Sequence, residues 1–185
     1  KGYSDGILDR SRREVQTIVQ TALSHTAQTA RTELYAANAD LIKARKWDST
    51  LDTRTSEGCR IRDGKTYTNE ASPKPIGHSI PWLQGPGRLH FNCRSVDVPV
   101  TKSWRELGID ADDLPPGDRA SMDGVVPGDT TFGAWLSRQS AARQDDVLGV
   151  ERVKLLRAGK VTFDQFYDDK GRWLTLDQLL GKIGP

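Results

Sequence analysis

The sequence predicts an α+β fold, with a long N-terminal helical segment, a small irregular β-rich region and a helical C-terminal extension. Apolar residues recur at three- and four-residue steps over residues 5–45, which is typical of an amphipathic helix. Glycine and proline are frequent over residues 47–99 and exclude long helices there. Helical patterns return after residue 130. We therefore divide the chain into a helical entry (1–46), a central region (47–107) forming one domain with it, a connector (108–130) and a C-terminal extension (131–185).

The composition is that of a folded protein without a membrane segment. The chain has 185 residues, of which 36% are hydrophobic and 28% charged, so it can build a sizeable core and disorder is not expected. The net charge of +2 is too small to indicate nucleic-acid binding from bulk electrostatics. No apolar run approaches the length of a membrane span, and nothing at the start resembles a signal peptide. Because the chain begins at Lys1 rather than at a methionine, we expect a fragment or a processed product.

The helical entry is long for a single helix. Its apolar stripe consists of Val15, Ile18, Val19, Ala22, Ala30, Leu34, Ala37 and Leu41. We expect a break near residues 24–29, where β-branched and hydroxyl side chains cluster. His25 lies in this segment, and we interpret it as a surface or packing residue rather than a ligand.

The central region contains two strand signals. The dipeptide Asp63-Gly64, with Ile61 before it and Tyr67 after it, predicts the turn of a β-hairpin. Residues 95–100 alternate in polarity and predict a short strand, which Pro99 places at a sheet edge.

The connector and the extension complete the fold. Aspartate, proline and glycine predict irregular structure over residues 108–130. In the extension we expect amphipathic helices at 132–139 and 150–156, the second stopped by Gly159, then a capped turn at 162–166 and a short helix capped by Thr175. We expect these elements to serve in packing and docking.

Both cysteines lie in the central region and permit three interpretations. Cys59, His90 and Cys93 supply nitrogen and sulfur ligands, but a structural zinc site needs four ligands, so Asp52, Asp63 or His78 would have to complete it. The cysteines could equally form a close pair, reduced or bridged, or be unrelated. We therefore expect no obligatory cofactor, with zinc as the candidate metal.

Nucleophilic catalysis is a weaker interpretation of the same residues. A thiolate–imidazole pair could form between Cys59 and His90, and Arg60 and Arg62 would lower the pKa of the thiol. No local signature surrounds either residue, so we predict no catalytic residue.

A structural interpretation explains the polar residues without catalysis. Carboxylate–guanidinium pairs among Asp52, Arg54 and Arg94 would hold the loop that follows Trp47 against the strand at 95–100. The predicted clasp consists of Asp52, Arg54, Thr55, Asp63 and Arg94.

Nucleic-acid binding remains an alternative for the local excess of arginine. Arg60, Arg62 and Arg88, interleaved with aromatic residues, are the candidates for phosphate contacts.

Four motifs resemble a known family when taken together. They are Ala30-Arg-Thr-Glu33, Trp47-x-x-x-x-Asp52-x-Arg54-Thr55, the Asp63-Gly64 turn and His90-x-x-Cys93-Arg94. Their order and spacing resemble the phage Mu protein F-like, minor head protein (head morphogenesis) family over roughly residues 15–100. Many members carry cysteine at the positions of Ser56 and Ser95, so this chain has lost two of four sulfur positions.

The resemblance implies a phage minor head protein, a non-enzymatic structural component of the virion head interior that is assembled in the host cytoplasm. Its expected partners are portal or capsid proteins, and some members are thought to contact packaged DNA or to leave the head with it at DNA ejection. Family proteins are sometimes fused to toxin domains. The alternatives are therefore a phage-delivered enzyme, either a nuclease or an ADP-ribosyltransferase, and a nucleic-acid-binding module.

Overall fold

A computed structural model describes residues 3–183 and confirms the α+β class. The outermost residues of the predicted entry and extension, 1–2 and 184–185, lie outside it. The first element, α1 (Tyr3–Ala37), is one continuous helix of 35 residues. The predicted break near residues 24–29 is therefore wrong. The hydroxyl side chains of this segment fit within the helix because they bond to its backbone four residues earlier. The Thr26 hydroxyl donates to the Ala22 carbonyl at 3.0 Å, and the Thr29 hydroxyl donates to the His25 carbonyl at 2.9 Å.

The helical entry ends earlier than predicted. A turn follows α1, in which the Leu41 and Ile42 amides donate hydrogen bonds to the Asn38 carbonyl. The chain then forms β1 (Ile42–Asp48). The prediction of helix up to residue 45 is wrong because this segment pairs on both sides with other strands, and tertiary pairing overrides a short helical periodicity.

A four-stranded antiparallel sheet forms the centre of the fold. Its order is β3-β2-β1-β4, with β2 at Thr66–Thr68, β3 at Pro75–Ile76 and β4 at Val96–Thr101. Arg45 of β1 lies opposite Tyr67 on one side and Pro99 on the other. The predicted strand at 95–100 and its place at the sheet edge are confirmed.

The predicted hairpin at Asp63-Gly64 is wrong, although the turn is present. The chain before the turn forms the short helix α2 (Glu57–Arg60), and β2 pairs with β1 instead. Gly64 has a φ of +77° and its amide donates to the Trp47 carbonyl at 2.9 Å. A positive φ favours glycine here, and the turn leads the chain from α2 into β2.

A second sheet lies in the segment predicted to be irregular. It is a hairpin of β5 (Asp118–Ser121) and β6 (Gly124–Pro127). Gly124, which follows the turn, has a φ of +116°, a conformation that favours glycine. The dipeptide Asp123-Gly124 is therefore a hairpin signal that our prediction missed. Ser121 also bridges to Leu51, which attaches the hairpin to the central region.

The extension contains the predicted helices. They are α3 (Phe132–Ser137), α5 (Val150–Arg157), a 3₁₀ helix (Phe163–Phe166) and α6 (Leu176–Ile183). A further helix, α4 (Ala141–Leu148), was not predicted. The predicted cap at Thr175 is confirmed, because its hydroxyl accepts from the Gln178 amide at 3.2 Å. No helix within residues 3–183 is long and apolar enough to cross a membrane.

Two hydrophobic cores hold these elements together. The larger core combines central residues with many from the extension: Leu51, Ile61, Ile80, Phe132, Trp135, Leu136, Val147, Leu148, Val153, Val161, Phe166, Tyr167 and Leu179. The smaller core contains Trp47, Cys59, Tyr67, Trp82 and Cys93. The extension thus packs on the central region, and both cysteines lie in an aromatic environment.

The helix α1 attaches to the sheet mainly through polar contacts. The Gln28 side chain donates to the Asp97 carboxylate at 2.9 Å, and the Tyr35 hydroxyl donates to the Asp97 carbonyl at 3.2 Å. The Arg45 guanidinium lies 3.8 Å from the same carboxylate, and all four side chains are buried. Asp97 therefore links α1, β1 and β4.

Adjacent leucines of α6 test whether the extension and the central region unfold together. Leu179 is 1% exposed in the larger core and Leu180 is 47% exposed. We expect Leu179→Ala to lower the free energy of unfolding by about 2–5 kcal/mol, because it leaves a cavity in the shared core. Leu180→Ala should cost less than about 1 kcal/mol. Urea denaturation monitored by tryptophan fluorescence measures both. Two separate transitions, with only one sensitive to Leu179→Ala, would show that the extension folds independently.

Candidate functional site

The Asp52–Arg94 pair joins the segment after β1 to the segment before β4. Two nitrogens of Arg94 donate to the two carboxylate oxygens of Asp52, at 2.5 and 2.9 Å. Burial by itself raises the pKa of Asp52, but the hydrogen bonds and charge of Arg94 outweigh it and hold the pKa below the usual range. The bidentate geometry specifies both the distance and the orientation of the two segments.

The other members of the predicted clasp near Asp52 contribute differently from one another. The Arg54 backbone amide donates to Asp52 at 3.0 Å, while its side chain is exposed. The Thr55 hydroxyl lies 3.1 Å from the same carboxylate and 2.5 Å from the Thr50 carbonyl. The guanidinium partner of Asp52 is therefore Arg94, and Arg54 acts through its backbone.

Asp63 belongs to a separate network rather than to the group around Asp52. Its carboxylate accepts from two nitrogens of Arg119 at 3.1 and 3.2 Å, and from the Ser49 and Phe132 amides at 2.7 and 2.6 Å. Burial raises the pKa of Asp63 despite the opposing effect of Arg119. Arg119 also pairs with Asp48. This network connects the central region to β5 and to the start of α3.

Sequence reasoning missed Arg119. It lies on β5, inside the segment predicted to be irregular. The Asp123-Gly124 signal could have indicated a strand there, but no local pattern indicates which carboxylate an arginine 56 positions away will bind.

Arg60 does not face solvent as a nucleic-acid contact requires. Its side chain donates to the Val147 carbonyl at 2.9 Å and to the Thr53 carbonyl at 3.2 Å. Its guanidinium lies 5.5 Å from the centroid of the Phe132 ring. Arg60 thus connects the central region to α3 and α4.

Arg62 is the more deeply buried of the two arginines, at 1% exposure. It donates to the Pro81 carbonyl at 2.9 Å and to the Gly58 carbonyl at 2.7 Å, and lies over the Trp47 ring. The predicted phosphate contacts of Arg60 and Arg62 do not fit this burial. Carbonyl oxygens accept two hydrogen bonds from each guanidinium group inside the fold, although Arg60 Nε is buried without a partner among the described residues.

Arg88, the third predicted phosphate contact, is half-buried against α1. Its guanidinium donates to the Thr29 hydroxyl and lies 3.5 Å from the His25 carbonyl. His25 itself is exposed, as expected for a surface residue.

The structure brings Cys59, His90 and Cys93 together. The two Sγ atoms are 3.7 Å apart, and Cys59 Sγ is 3.4 Å from His90 Nε2. The three potential ligand atoms all lie within 4.8 Å of one another. Both thiols are free and buried, whereas His90 is half-buried.

The backbone presets the orientation of the histidine ring. His90 Nδ1 lies 2.8 Å from the Phe91 carbonyl oxygen, which can only accept, so in the neutral ring Nδ1 carries the proton. The Nε2 lone pair then points to the cysteines and to the Ser56 hydroxyl, which lies 2.8 Å away. A hydrogen bond from Nδ1 to a carbonyl is the usual support of a metal-binding histidine.

Ser56 and Ser95 lie beside Cys59. Ser95 is buried, and its hydroxyl lies 3.2 Å from that of Ser49, which donates to the Cys59 carbonyl at 3.0 Å. A hydrogen bond from Cys93, followed by those from Ser56 and Ser95, lowers the pKa of Cys59 to about 6 although burial opposes the shift. The same Cys59 contact raises the pKa of Cys93.

The two separations that involve Cys59 fit zinc. With metal–ligand bonds of about 2.3 Å to sulfur and about 2.0 Å to nitrogen, tetrahedral geometry places the ligand atoms roughly 3.5–3.8 Å apart. The observed separations of 3.7 and 3.4 Å agree with these values. A Cys-His-Cys cluster compatible with zinc is therefore present within residues 3–183.

The carboxylates and histidine that we expected to complete the site do not join it. Asp52 is paired with Arg94, and Asp63 with Arg119. The His78 ring packs on Tyr67, with ring centroids 4.9 Å apart. Chemically, the cluster can bind a metal through three protein ligands, form a disulfide or persist as a hydrogen-bonded thiol pair.

A pair of arginine variants tests the Asp52–Arg94 interaction. We expect Arg94→Ala to lower the free energy of unfolding by about 1–2 kcal/mol at pH 7, because it leaves a largely buried carboxylate without its partner. Arg54→Ala, the matched control, removes only an exposed side chain and should change it by less than about 0.5 kcal/mol. Chemical denaturation provides the values, and equal losses in the two variants would contradict the assignment.

The Asp52–Arg94 contribution should also depend on pH. Because folding lowers the pKa of Asp52, the stabilisation is fully present above the unfolded value of 3.8 and is lost as the pH falls through the lower folded value. The stability difference between wild type and Arg94→Ala should therefore shrink below pH 3.8. Denaturation curves at successive pH values measure it, and a constant difference would refute this origin.

Comparison with known proteins places these observations in a family. The family model described as Phage Mu protein F like protein matches residues 5–98, just over half of the chain. The match includes α1 from residue 5 onward, the Asp52–Arg94 pair and the Cys-His-Cys cluster. No curated protein and no solved structure gives a significant match. The chain belongs to the Phage Mu protein F like family, whose members are associated with phage head morphogenesis.

Proposed function

We propose that this chain is a structural, non-enzymatic domain of a phage minor head protein that binds portal or capsid protein in the head interior. Assembly would take place in the host cytoplasm. The family match supports a head-related role, and the exposed apolar surface of α1 is the observation that supports a protein partner.

Leu34 is exposed near the end of α1, and five further exposed apolar side chains lie earlier in the helix. They are Leu8, Val15, Ile18, Val19 and Leu23, each 50–66% exposed, and we call them the α1 stripe. Val15, Val19 and Leu23 recur every four residues and so share one helix face, while Gln28 and Tyr35 fasten α1 to the sheet. A contiguous exposed apolar face on a helix is typical of a protein-binding surface.

The polar residues of the motif support a structural role as well. Asp52 and Asp63 are each held by an arginine and by backbone amides. Cys59, the nucleophile of the enzymatic alternative, is 2% exposed. Burial of Arg60 and Arg62 also weakens the nucleic-acid alternative for that part of the surface.

The α1 stripe can be tested by adding charge. We expect the double variant Ile18→Glu, Leu23→Glu to lose binding to the portal or the major capsid protein of the same phage, because association would bury the new carboxylates. Its thermal unfolding should stay close to that of wild type, since both side chains are exposed. Gln20→Glu, at another exposed position of the same helix, is the control. Co-expression followed by size-exclusion chromatography measures the complex, and unchanged binding of the double variant would reject the stripe.

The alternative functions predict different results. Binding to duplex DNA that falls steeply with salt would favour the nucleic-acid-binding module. An enzymatic activity that Asp52→Ala or His90→Ala abolishes while the variant remains folded would favour the phage-delivered enzyme.

We also propose that Cys59, His90 and Cys93 hold one zinc ion that joins the two segments linked by Asp52 and Arg94. The support is that the Cys59–Cys93 and Cys59–His90 separations agree with tetrahedral zinc and that the Phe91 carbonyl orients His90. When bound, the ion would supply a cross-link between cysteines that are 34 positions apart in the chain.

Two histidine variants test the zinc proposal. We expect wild type to contain one zinc per chain by elemental analysis, and His90→Ala to lose it. His25→Ala should keep it, because His25 is an exposed residue of α1. Free zinc at about 100 times the dissociation constant should stabilise wild type by about 3 kcal/mol, measured by thermal unfolding with and without a chelator. Two free thiols with no bound metal in wild type would refute the proposal.

A further inference from the structure

The Cys-His-Cys cluster supplies three ligand atoms, and its surroundings differ on two sides. On one side Cys59 and Cys93 pack in the smaller core with Trp47, Tyr67 and Trp82. On the other side His90 and Ser56 are half-buried and line an open groove of about 630 Å³. Any further ligand must therefore enter from the groove.

Ser56 is poorly suited to complete the coordination. Serine is not among the usual zinc ligands, and its Oγ lies 2.8 Å from His90 Nε2. Two donor atoms on one tetrahedral zinc would be roughly 3.3 Å apart, so the observed distance is that of a hydrogen bond instead. Ser95 is also unavailable, because it is buried and its hydroxyl contacts that of Ser49.

The groove carries positive charge. The exposed side chains of Arg54, Lys170 and Arg172 line it, and Glu57 is the one carboxylate in its lining. Arg172 is paired with Asp168 at 2.6 Å, which leaves Arg54 and Lys170 as the cations best placed to attract an anion. Carboxylate oxygen is a common zinc ligand, and a cationic groove favours its approach.

We propose that the cluster forms a three-ligand zinc site whose fourth position is open toward this groove and accepts a carboxylate from outside the chain. The inference rests on the proposed zinc site. Under the proposed function, the carboxylate would be an Asp or Glu side chain of the partner head protein. Three protein ligands with an exchangeable fourth position distinguish this arrangement from a closed structural site.

Cobalt(II) in place of zinc provides a spectroscopic test, since its visible bands report the ligand set and geometry. We expect acetate to shift the bands of cobalt-loaded wild type in a saturable way. Ser56→Cys should add a thiolate, strengthen the sulfur-to-cobalt charge-transfer band and remove the response to acetate. Ser95→Ala, which removes the other nearby hydroxyl, should keep the response.

The groove cations give a second readout on the same cobalt-loaded protein. We expect Arg54→Ala to weaken the apparent affinity for acetate about two- to five-fold through loss of an exposed charge. Lys154→Ala, a control on α5 whose side chain pairs with Glu151 outside the groove, should leave it unchanged.

Each other outcome overturns a defined part of the inference. Cobalt binding with no response to acetate would show a closed site and leave the zinc proposal standing. A response that appears only in Ser56→Ala would assign the fourth position to the serine hydroxyl. A response to inorganic phosphate but not to acetate would reject the carboxylate as the ligand class. Failure of wild type to bind cobalt or zinc would refute the zinc proposal and this inference together.

Discussion

The bidentate pair between Asp52 and Arg94 is the constraint on which the candidate site depends. It joins residues that are 42 positions apart in the chain. Cys59 follows Asp52 along the chain, and Cys93 immediately precedes Arg94. Since Arg94 directly follows Cys93, the pair also determines where that thiol meets Cys59. A planar guanidinium on a carboxylate specifies orientation as well as distance, which a single lysine contact would not do.

Buried arginines extend the same principle to the rest of the fold. Arg62 lies between α2 and the loop that carries Pro81. Arg60 connects the central region to the extension, and Arg119 connects it to the β5–β6 hairpin. Each guanidinium donates to at least two oxygen atoms, so three arginines satisfy several buried backbone carbonyls in a small region with few regular strands. The local excess of arginine in this sequence therefore reflects internal hydrogen bonding at Arg60 and Arg62 rather than an exposed basic face.

The sequence predicted the fold class, the edge strand, the helices of the extension except α4, and the cap at Thr175, because each depends on local periodicity or on a local hydrogen bond. It failed at β1, where an apparent helical repeat continues into a strand, and at α2, which precedes the Asp63-Gly64 turn. Both errors have one cause: pairing with β2 and β4, which are distant along the chain, decides the conformation of that segment.

The sequence by itself determined the family, the α+β class and the residue types available for a site, since motif spacing and hydrophobic periodicity are properties of the chain. The tertiary structure alone decided the pairings. It assigned Arg94 rather than Arg54 to Asp52, gave Asp63 to Arg119 and turned His90 toward Cys59. A side chain's charge is encoded locally, but its partner depends on which distant segments the two cores bring within hydrogen-bonding distance.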